Sequence, residues 1–246
     1  MSKAPDIYFK GSAEIERDGE NRVLFDELEL HIPANKITCL LGASGVGKST
    51  ILRLIAGLDT GAKFTGEITA NDEKAIASRI AYMAQGGELF PWLSVIDNVM
   101  LGAKLRGEKS DETRALDVID KVGLASHINK KPTKLSGGEQ QRVSLARTLM
   151  EDRSIVLLDE PFSALDAKTR SEMQELAGDL LRNHTVLLVT HDPFEAARLG
   201  HFIQVMTPQG LEPVEAPKTS PVRADDEDET LACQGRLYRL LRGNAS

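Results

Sequence analysis

The pattern Gly-x-x-x-x-Gly-Lys-Ser restricts the folds open to this chain more than any other feature. It occupies residues 42–49, after the apolar run 37–41 and before apolar residues at helical spacing. Glycines at these positions let backbone N–H groups curl around one anion, which also meets the N-terminus of the next helix. We therefore predict a strand, a phosphate-binding loop and a helix, with nucleotide phosphate bound by Gly42, Ala43, Ser44, Gly45, Val46, Gly47, Lys48, Ser49 and Thr50.

Two side chains at the end of this loop are suited to a nucleoside triphosphate with Mg²⁺. Lys48 supplies a point charge for the β- and γ-phosphates, and the Ser49 hydroxyl is a suitable ligand for Mg²⁺. A glycine-rich turn that matches the pattern by chance is the alternative. The flanking strand and helix patterns argue against it.

Two later apolar runs indicate the sheet that carries the loop. Residues 155–158 and 186–189 are continuous rather than alternating, which is typical of strands buried on both faces of a parallel sheet. Asp159 and Glu160 follow the first run, at the strand end where open α/β sheets place ligands. We expect Asp159 to hold Mg²⁺ through water and Glu160 to activate the attacking water. Taken alone, such an acidic pair is more often solvated loop charge.

A third motif, Leu-Ser-Gly-Gly-Glu-Gln-Gln-Arg, spans residues 135–142. Ser136, Gly137 and Gly138 precede apolar residues at helical spacing, which predicts a second helix N-terminus that faces an anion. One domain cannot easily direct both helix N-termini at the same γ-phosphate.

The three motifs together resemble the ATP-binding cassette (ABC) family of transport ATPases, over about residues 7–206. The resemblance implies that two ATP molecules close between two subunits, and that the 136–138 motif of one completes the site of the other. It also implies that His191 is the switch histidine that contacts the γ-phosphate and that Gln85 touches the metal and the attacking water. The implied catalytic residues are Glu160, His191 and Gln85, and the implied metal ligands are Ser49, Gln85 and Asp159.

The expected fold class is α/β, with a P-loop NTPase core made mainly of a parallel sheet flanked by helices. Strand-like patterns at 7–9, 23–32 and 64–70 predict a small antiparallel β subdomain. The whole ATPase domain is placed at 1–206, and an inserted helical subdomain at about 87–134.

Within the helical subdomain, Ser110 or Asp111 is expected to cap a helix with Leu116, Ile119 and Val122 on one face. After the ATPase domain, prolines and an acidic run predict a flexible linker at 207–230. Leucines and arginines in 231–246 indicate either a short amphipathic helix or a frayed end.

Residues 88–99 and 190–200 resemble the importer subgroup for nitrate, taurine and aliphatic sulfonates, whose close kin import thiamine-precursor pyrimidines. This resemblance implies a homodimer of cassettes on the cytoplasmic face of the cell membrane. It also implies transmembrane permease subunits and, indirectly, a periplasmic or lipid-anchored solute-binding protein. Phe90, Pro91 and Trp92 are candidates for the permease contact, with an ordinary packed loop as the alternative.

The main rival is a soluble ABC ATPase that acts on nucleic acid or ribosomes. Such chains usually carry long coiled-coil insertions or two cassettes, and neither pattern is visible here. The formal net charge of -7 also argues against a nucleic-acid partner, since duplex affinity comes largely from clustered Lys and Arg. No apolar run approaches the roughly 20 residues that span a bilayer.

One element of the family pattern is missing. Family members usually place an aromatic residue roughly two dozen positions before the phosphate loop, where its ring stacks on adenine. Residues 16–20 occupy that neighbourhood and contain no aromatic residue. The nearest aromatic residues are Tyr8, Phe9 and Phe25, which lie at different spacings from the loop. Within 16–20, Arg17 is the one residue whose planar guanidinium could stack on the base.

Overall fold

Nine strands form two sheets in the residues that the computed structural model describes, which are 4–17, 20–86 and 88–243. The strands are β1 (Ile7–Arg17), β2 (Glu20–Ile32), β3 (Ile37–Gly42), β4 (Ala62–Ala70), β5 (Ile80–Met83), β6 (Ile155–Asp159), β7 (Thr185–Thr190), β8 (Phe202–Thr207) and β9 (Gly210–Val214). One sheet is antiparallel, in the order β2-β1-β4, and the other has the order β5-β6-β7-β3-β8-β9. In the larger sheet only β9 runs antiparallel to its neighbour. The α/β class and the small antiparallel sheet are therefore confirmed.

Eight α-helices surround these sheets in the described ranges. They are α1 (Lys48–Ile55), α2 (Val95–Val99), α3 (Leu101–Leu105), α4 (Glu112–Lys121), α5 (Gly137–Met150), α6 (Ala167–Leu180), α7 (Pro193–Leu199) and α8 (Asp228–Gly243). Helices α2, α3 and α4 lie in the region expected to form the helical subdomain, and Gly87, at its predicted boundary, lies outside the described residues.

The central strands are buried on both faces. Along β6, Val156 and Leu158 pack into one apolar cluster, whereas Ile155 and Leu157 pack into another on the opposite side of the sheet. Alternate residues of a strand point to opposite faces, so an uninterrupted apolar run fills both. The sheet is therefore anchored on both faces, and its carboxyl edge carries the predicted site residues Asp159 and Glu160.

The apolar face of α4 differs from the expected one. Asp111 caps the helix by accepting a hydrogen bond from the Arg114 N–H, as one of the two predicted caps. Ile119 is buried, but Leu116 is 39% exposed. Residues three and four apart share a helix face, so the buried stripe passes through Ala115, Val118 and Ile119 and leaves Leu116 to one side.

The segment 207–230 also differs from the flexible linker expected there. Its residues include β9, an edge strand in which Pro213 removes no hydrogen bond that the sheet requires. Arg223 is 3% exposed, and its guanidinium donates hydrogen bonds to the backbone carbonyls of Ala197, Gly200, Pro217 and Thr219. Two of these carbonyls lie at the end of α7 and two lie in the segment itself. The buried Arg223 side chain therefore holds the segment against α7.

The C-terminal helix begins three residues before the predicted 231–246, since α8 starts at Asp228. Cys233 and Leu237 are buried in the larger apolar cluster, and α8 packs against α7. Residues 244–246 lie outside the described part of the chain. A frayed end is therefore excluded for the described length of this helix.

Candidate functional site

The phosphate loop joins the carboxyl end of β3 to the first residue of α1. Gly45 and Gly47 have φ values of 80° and 110°, in the left-handed region that side chains with a Cβ rarely occupy. Lys48 is buried, and its ammonium group donates hydrogen bonds of 2.8 Å to the Gly42 and Ala43 carbonyls. Burial lowers the pKa of Lys48, although the nearby Glu160 and Asp159 act in the opposite direction. The backbone of the phosphate loop thus curls around the ammonium group of Lys48.

A hydroxyl and a carboxylate meet beside this loop. The Ser49 hydroxyl donates to Asp159 Oδ1 at 3.1 Å, joining the start of α1 to the end of β6. Burial raises the pKa of Asp159, and the hydrogen bond from Ser49 acts against that rise. Among the described residues, no group of three or more His, Cys, Asp or Glu side chains has an arrangement that could hold a metal ion by itself. A hydroxyl with one carboxylate suits Mg²⁺, which usually binds through one or two carboxylates, waters and substrate phosphates.

The Glu160 side chain lies between two partners from neighbouring strand ends. Gln85 Nε2, after β5, donates to Glu160 Oε2 at 3.1 Å, and His191 Nδ1, after β7, lies 3.1 Å from Glu160 Oε1. The carboxylate is 14% exposed. Glu160 also has a φ of 49°, held by its N–H, which donates to Val189 O at 2.9 Å. Six described non-glycine residues have a positive φ, and Glu160 is the one among them that follows a central strand at the carboxyl edge of the sheet, where such strained conformations cluster in active sites.

The predicted catalytic residues are therefore brought together at one sheet edge. Parallel strands β5, β6 and β7 end there side by side, so the residues that follow them meet although they are far apart in sequence. A carboxylate fixed by an amide and an imidazole is a suitable acceptor for a proton from water. The site geometry thus supports a hydrolytic role.

The 136–138 motif forms a separate helix start. Ser136 and Glu139 make a reciprocal capping box: Ser136 Oγ accepts from the Glu139 N–H at 3.2 Å, and Glu139 Oε2 accepts from the Ser136 N–H at 2.6 Å. That backbone hydrogen bond is the main cause of a lowered pKa at Glu139. Between described residues, no hydrogen bond or ion pair connects Ser136, Gly137 or Gly138 to the phosphate loop.

Sequence reasoning assigned no role to Gln141, which connects α5 to the loop after Glu160. Its side chain is 5% exposed, donates to Glu160 O at 2.9 Å and accepts from the Ala164 N–H at 2.9 Å. It also donates to Ser163 Oγ at 3.3 Å. The signal available in the sequence was a polar residue four positions before the apolar Leu145, on the same face of α5. The start of α5 is thereby connected to the loop after Glu160.

Asn98 was also missed, and it holds the loop that carries the exposed aromatic residues. Its buried amide oxygen accepts from the Phe90 N–H at 2.9 Å, and its Nδ2 lies within 3.3 Å of the carbonyl oxygens of Phe90, Leu93 and Ser94. Trp92 is 65% exposed and packs edge-on against Phe90, with ring centroids 5.2 Å apart. The loop is thus fixed from inside while it presents two rings to the outside.

Each of the three nearest rings already packs against another ring. Tyr8 is stacked on His31, with ring centroids 4.7 Å apart, and Phe9 packs edge-on against the buried Phe25. The Arg17 side chain, like residues 18–19, lies outside what the structure describes.

Comparisons with known proteins agree on one family. A family model described as ABC transporter matches residues 25–163. An uncharacterized ABC transporter ATP-binding protein of Haemophilus influenzae is 50% identical over 187 residues, 75% of this chain and 76% of the relative. The aliphatic sulfonates import ATP-binding protein SsuB 1 of Mesorhizobium japonicum is 41% identical over 202 residues, 81% of this chain and 74% of the relative.

Solved structures give the same result. The dimeric structure of MJ0796, a bacterial ABC transporter cassette, has a TM-score of 0.75 and 29% sequence identity, and the match covers 89% of this chain and 99% of that one. A post-hydrolysis state of the same cassette, bound to ADP and Pi, has a TM-score of 0.74 and 30% identity, over the same shares of the two chains. No helix in the described ranges of the present structure has the length and apolar character needed to cross a membrane.

Proposed function

Because this chain belongs to the ABC transporter family, we propose that it is the ATP-hydrolysing subunit of an importer for a small solute of the sulfonate type. The chain is an ABC ATPase, and its relatives in Mesorhizobium japonicum and Yersinia pestis are aliphatic sulfonates import ATP-binding proteins. The observation that carries the catalytic assignment is the position of Glu160, held between Gln85 and His191 beside the buried Lys48.

Each residue of the site then has a chemical role. The phosphate loop and Lys48 bind the triphosphate, and Ser49 and Asp159 hold Mg²⁺, with Gln85 as a further ligand. When bound, Mg²⁺ neutralises charge on the phosphate oxygens. Glu160 accepts a proton from the attacking water, and Gln85 and His191 orient its carboxylate. The short distances among these side chains support the assignment.

We also propose that two copies of the chain share their nucleotide sites. Ser136, Gly137 and Gly138 form a capped helix start without a bond to the phosphate loop of the same chain, so they are available to a partner's γ-phosphate. Gln141 would transmit contact at this helix start to the loop after Glu160. The dimeric cassette MJ0796 supports this arrangement.

The remaining partners follow from the importer assignment. We propose that the chain lies on the inner face of the cell membrane, bound to transmembrane permease subunits, and serves a periplasmic or lipid-anchored solute-binding protein indirectly. The exposed Phe90 and Trp92 are the proposed permease contact, because Asn98 fixes their loop from inside. Sulfonate import proteins among the relatives favour a sulfonate, nitrate or taurine type of solute, and a thiamine-precursor pyrimidine is the other candidate.

The mass of the Glu160→Gln variant in solution tests the proposal. Since the amide cannot accept the proton, ATP with Mg²⁺ should trap a closed dimer, whereas ADP should leave a monomer. A monomer under both conditions, despite measurable ATP binding, would contradict ATP-driven closure of the isolated chain.

The Ser136→Arg variant tests the shared site separately. It should bind ATP normally and lose turnover, since an arginine would block the helix start that faces the partner's phosphate. Normal hydrolysis by this variant would refute the shared site. Copurification with a multi-helix membrane protein would support the importer, and copurification with ribosomes or DNA would contradict it.

A further inference from the structure

A buried carboxyl group lies next to His191, and none of the proposed catalytic steps uses it. Glu195, in the first turn of α7, is 3% exposed. Its Oε2 accepts a hydrogen bond from the Thr190 hydroxyl at 2.9 Å. Its Oε1 is buried and has no hydrogen-bond partner among the described residues. A buried carboxyl with one unsatisfied oxygen requires an explanation.

Thr190 connects this carboxyl to the turn that carries His191. It is the last residue of β7, and its hydroxyl oxygen also accepts from the Asp192 N–H at 3.0 Å. The Thr190 hydroxyl can accept the Asp192 N–H with its oxygen and at the same time donate its own hydrogen to Glu195 Oε2. The hydroxyl therefore fixes the backbone on both sides of His191, and Glu195 fixes the hydroxyl.

The surroundings of Glu195 disfavour a negative charge. An ionised Glu195 would have two buried acceptor oxygens and only one hydrogen-bond donor, the Thr190 hydroxyl. The charged or titratable groups that face it are Asp192 in the turn, Arg170 on α6, Glu160 after β6 and Cys39 on β3. Burial is the main reason that the pKa of Glu195 rises to about 8; Asp192 and Glu160 add to the rise, and Thr190 and Arg170 oppose it.

We propose that Glu195 is a positioning residue that acts as a neutral carboxyl group, holding Thr190 and thereby the orientation of His191 towards Glu160. The inference rests on the proposed ATPase function of this site. Loss of the Glu195 proton places a negative charge in the core behind the turn and weakens the arrangement at His191. ATP binding should be affected little, because no hydrogen bond links Glu195 to the described phosphate loop.

Steady-state ATP hydrolysis by the full chain tests the proposal with three variants. Glu195→Gln keeps the shape of the neutral form, and its kcat at about pH 7 should stay within about twofold of wild type. Glu195→Ala and Thr190→Val remove the contact, and their kcat should fall at least about tenfold with KM for ATP changed less than about threefold. Equal losses in Glu195→Gln and Glu195→Ala, or no loss in Glu195→Ala, would overturn the proposal.

The pH profile separates positioning from a purely structural role. Wild-type kcat should fall as the pH rises through about 8, whereas the fall should be absent or shifted upward in Glu195→Gln. The matched control is Glu172→Gln, an exposed glutamate on α6 paired with Lys168, which should keep the wild-type profile. Identical profiles for wild type and Glu195→Gln would refute the neutral carboxyl.

Thermal unfolding gives an independent result if Glu195→Ala does not fold. The pKa of Glu195 is about 8 in the folded chain and about 4.5 in the unfolded chain, so wild-type stability falls across this range as the pH rises. Glu195→Gln should therefore gain in Tm over wild type between about pH 4.5 and 8, and the gain should then level off. A Tm difference independent of pH would overturn the neutral form. A wild-type chain that hydrolyses no ATP would instead refute the proposed function.

Discussion

The Asn98→Ala substitution should destabilise the chain by about 3 kcal/mol. Asn98 is fully buried, and its Oδ1 accepts from the Phe90 N–H at 2.9 Å. Its Nδ2 lies within 3.3 Å of three carbonyl oxygens but has only two hydrogens, so it makes at most two full bonds. One accepted and two donated bonds, at about 1 kcal/mol each, account for the estimate.

Urea unfolding of the variant and of a neighbouring control measures this loss. Asp97→Ala changes the same helix at a partly exposed position, where the carboxylate accepts hydrogen bonds from Lys104 and from the hydroxyl of the N-cap residue Ser94, and it should cost about 1 kcal/mol. ATP hydrolysis by the isolated chain should persist in Asn98→Ala, since Asn98 bonds to the 90–94 loop and not to the nucleotide site. Copurification with the permease should weaken because the loop that presents Trp92 is loosened. A loss no larger than that of Asp97→Ala would refute the reasoning.

Three further substitutions have defined outcomes. Lys48→Ala should weaken ATP binding at least about tenfold, measured by calorimetry, because it removes the cation inside the loop; unchanged affinity would contradict that role. Arg223→Met should cost about 3 kcal/mol in urea unfolding, since it leaves four carbonyls without their donor, whereas Arg236→Met, with one bond on the surface, should cost less than about 1 kcal/mol. Burial lowers the pKa of His201 to about 4, and neutral Nδ1 accepts from the Ile37 N–H, so wild-type stability should fall as the pH drops from about 6.5 to 4. His201→Asn keeps an acceptor that does not titrate, and its melting temperature should lack that fall; a fall equal to wild type would assign the loss to another group.

The proposed ATP site is the part of this protein that sequence reasoning described most fully. Its residues follow strands or begin a helix, and in a parallel sheet the strand ends meet at one edge. Apolar runs at 155–158 and 186–189 predicted two strands of one parallel sheet, and Glu160 and His191 each follow one of these runs. The structure adds that Gln85 and His191 contact different oxygens of the same carboxylate.

Errors in the sequence reasoning occurred where burial depends on distant segments. The prolines and acidic residues of 207–230 indicated a flexible linker, yet Arg223 lies buried against the end of α7. Composition reports what a segment prefers by itself, and it contains no information about carbonyls elsewhere that require a donor. The face of α4 was misjudged at Leu116 for a related reason, because several apolar residues were available and packing selected among them.

By itself, the sequence determined the phosphate loop, the strand and helix that flank it, and the residues that follow the two buried strands. These features follow from backbone conformation and local apolar periodicity, which neighbouring residues specify. Only the tertiary structure decided that Asn98, Gln141 and Glu195 are buried hydrogen-bonding residues. Their polar side chains would be solvated in an isolated helix; each acquires its role because a loop or strand from another part of the chain covers it and supplies the partner atoms.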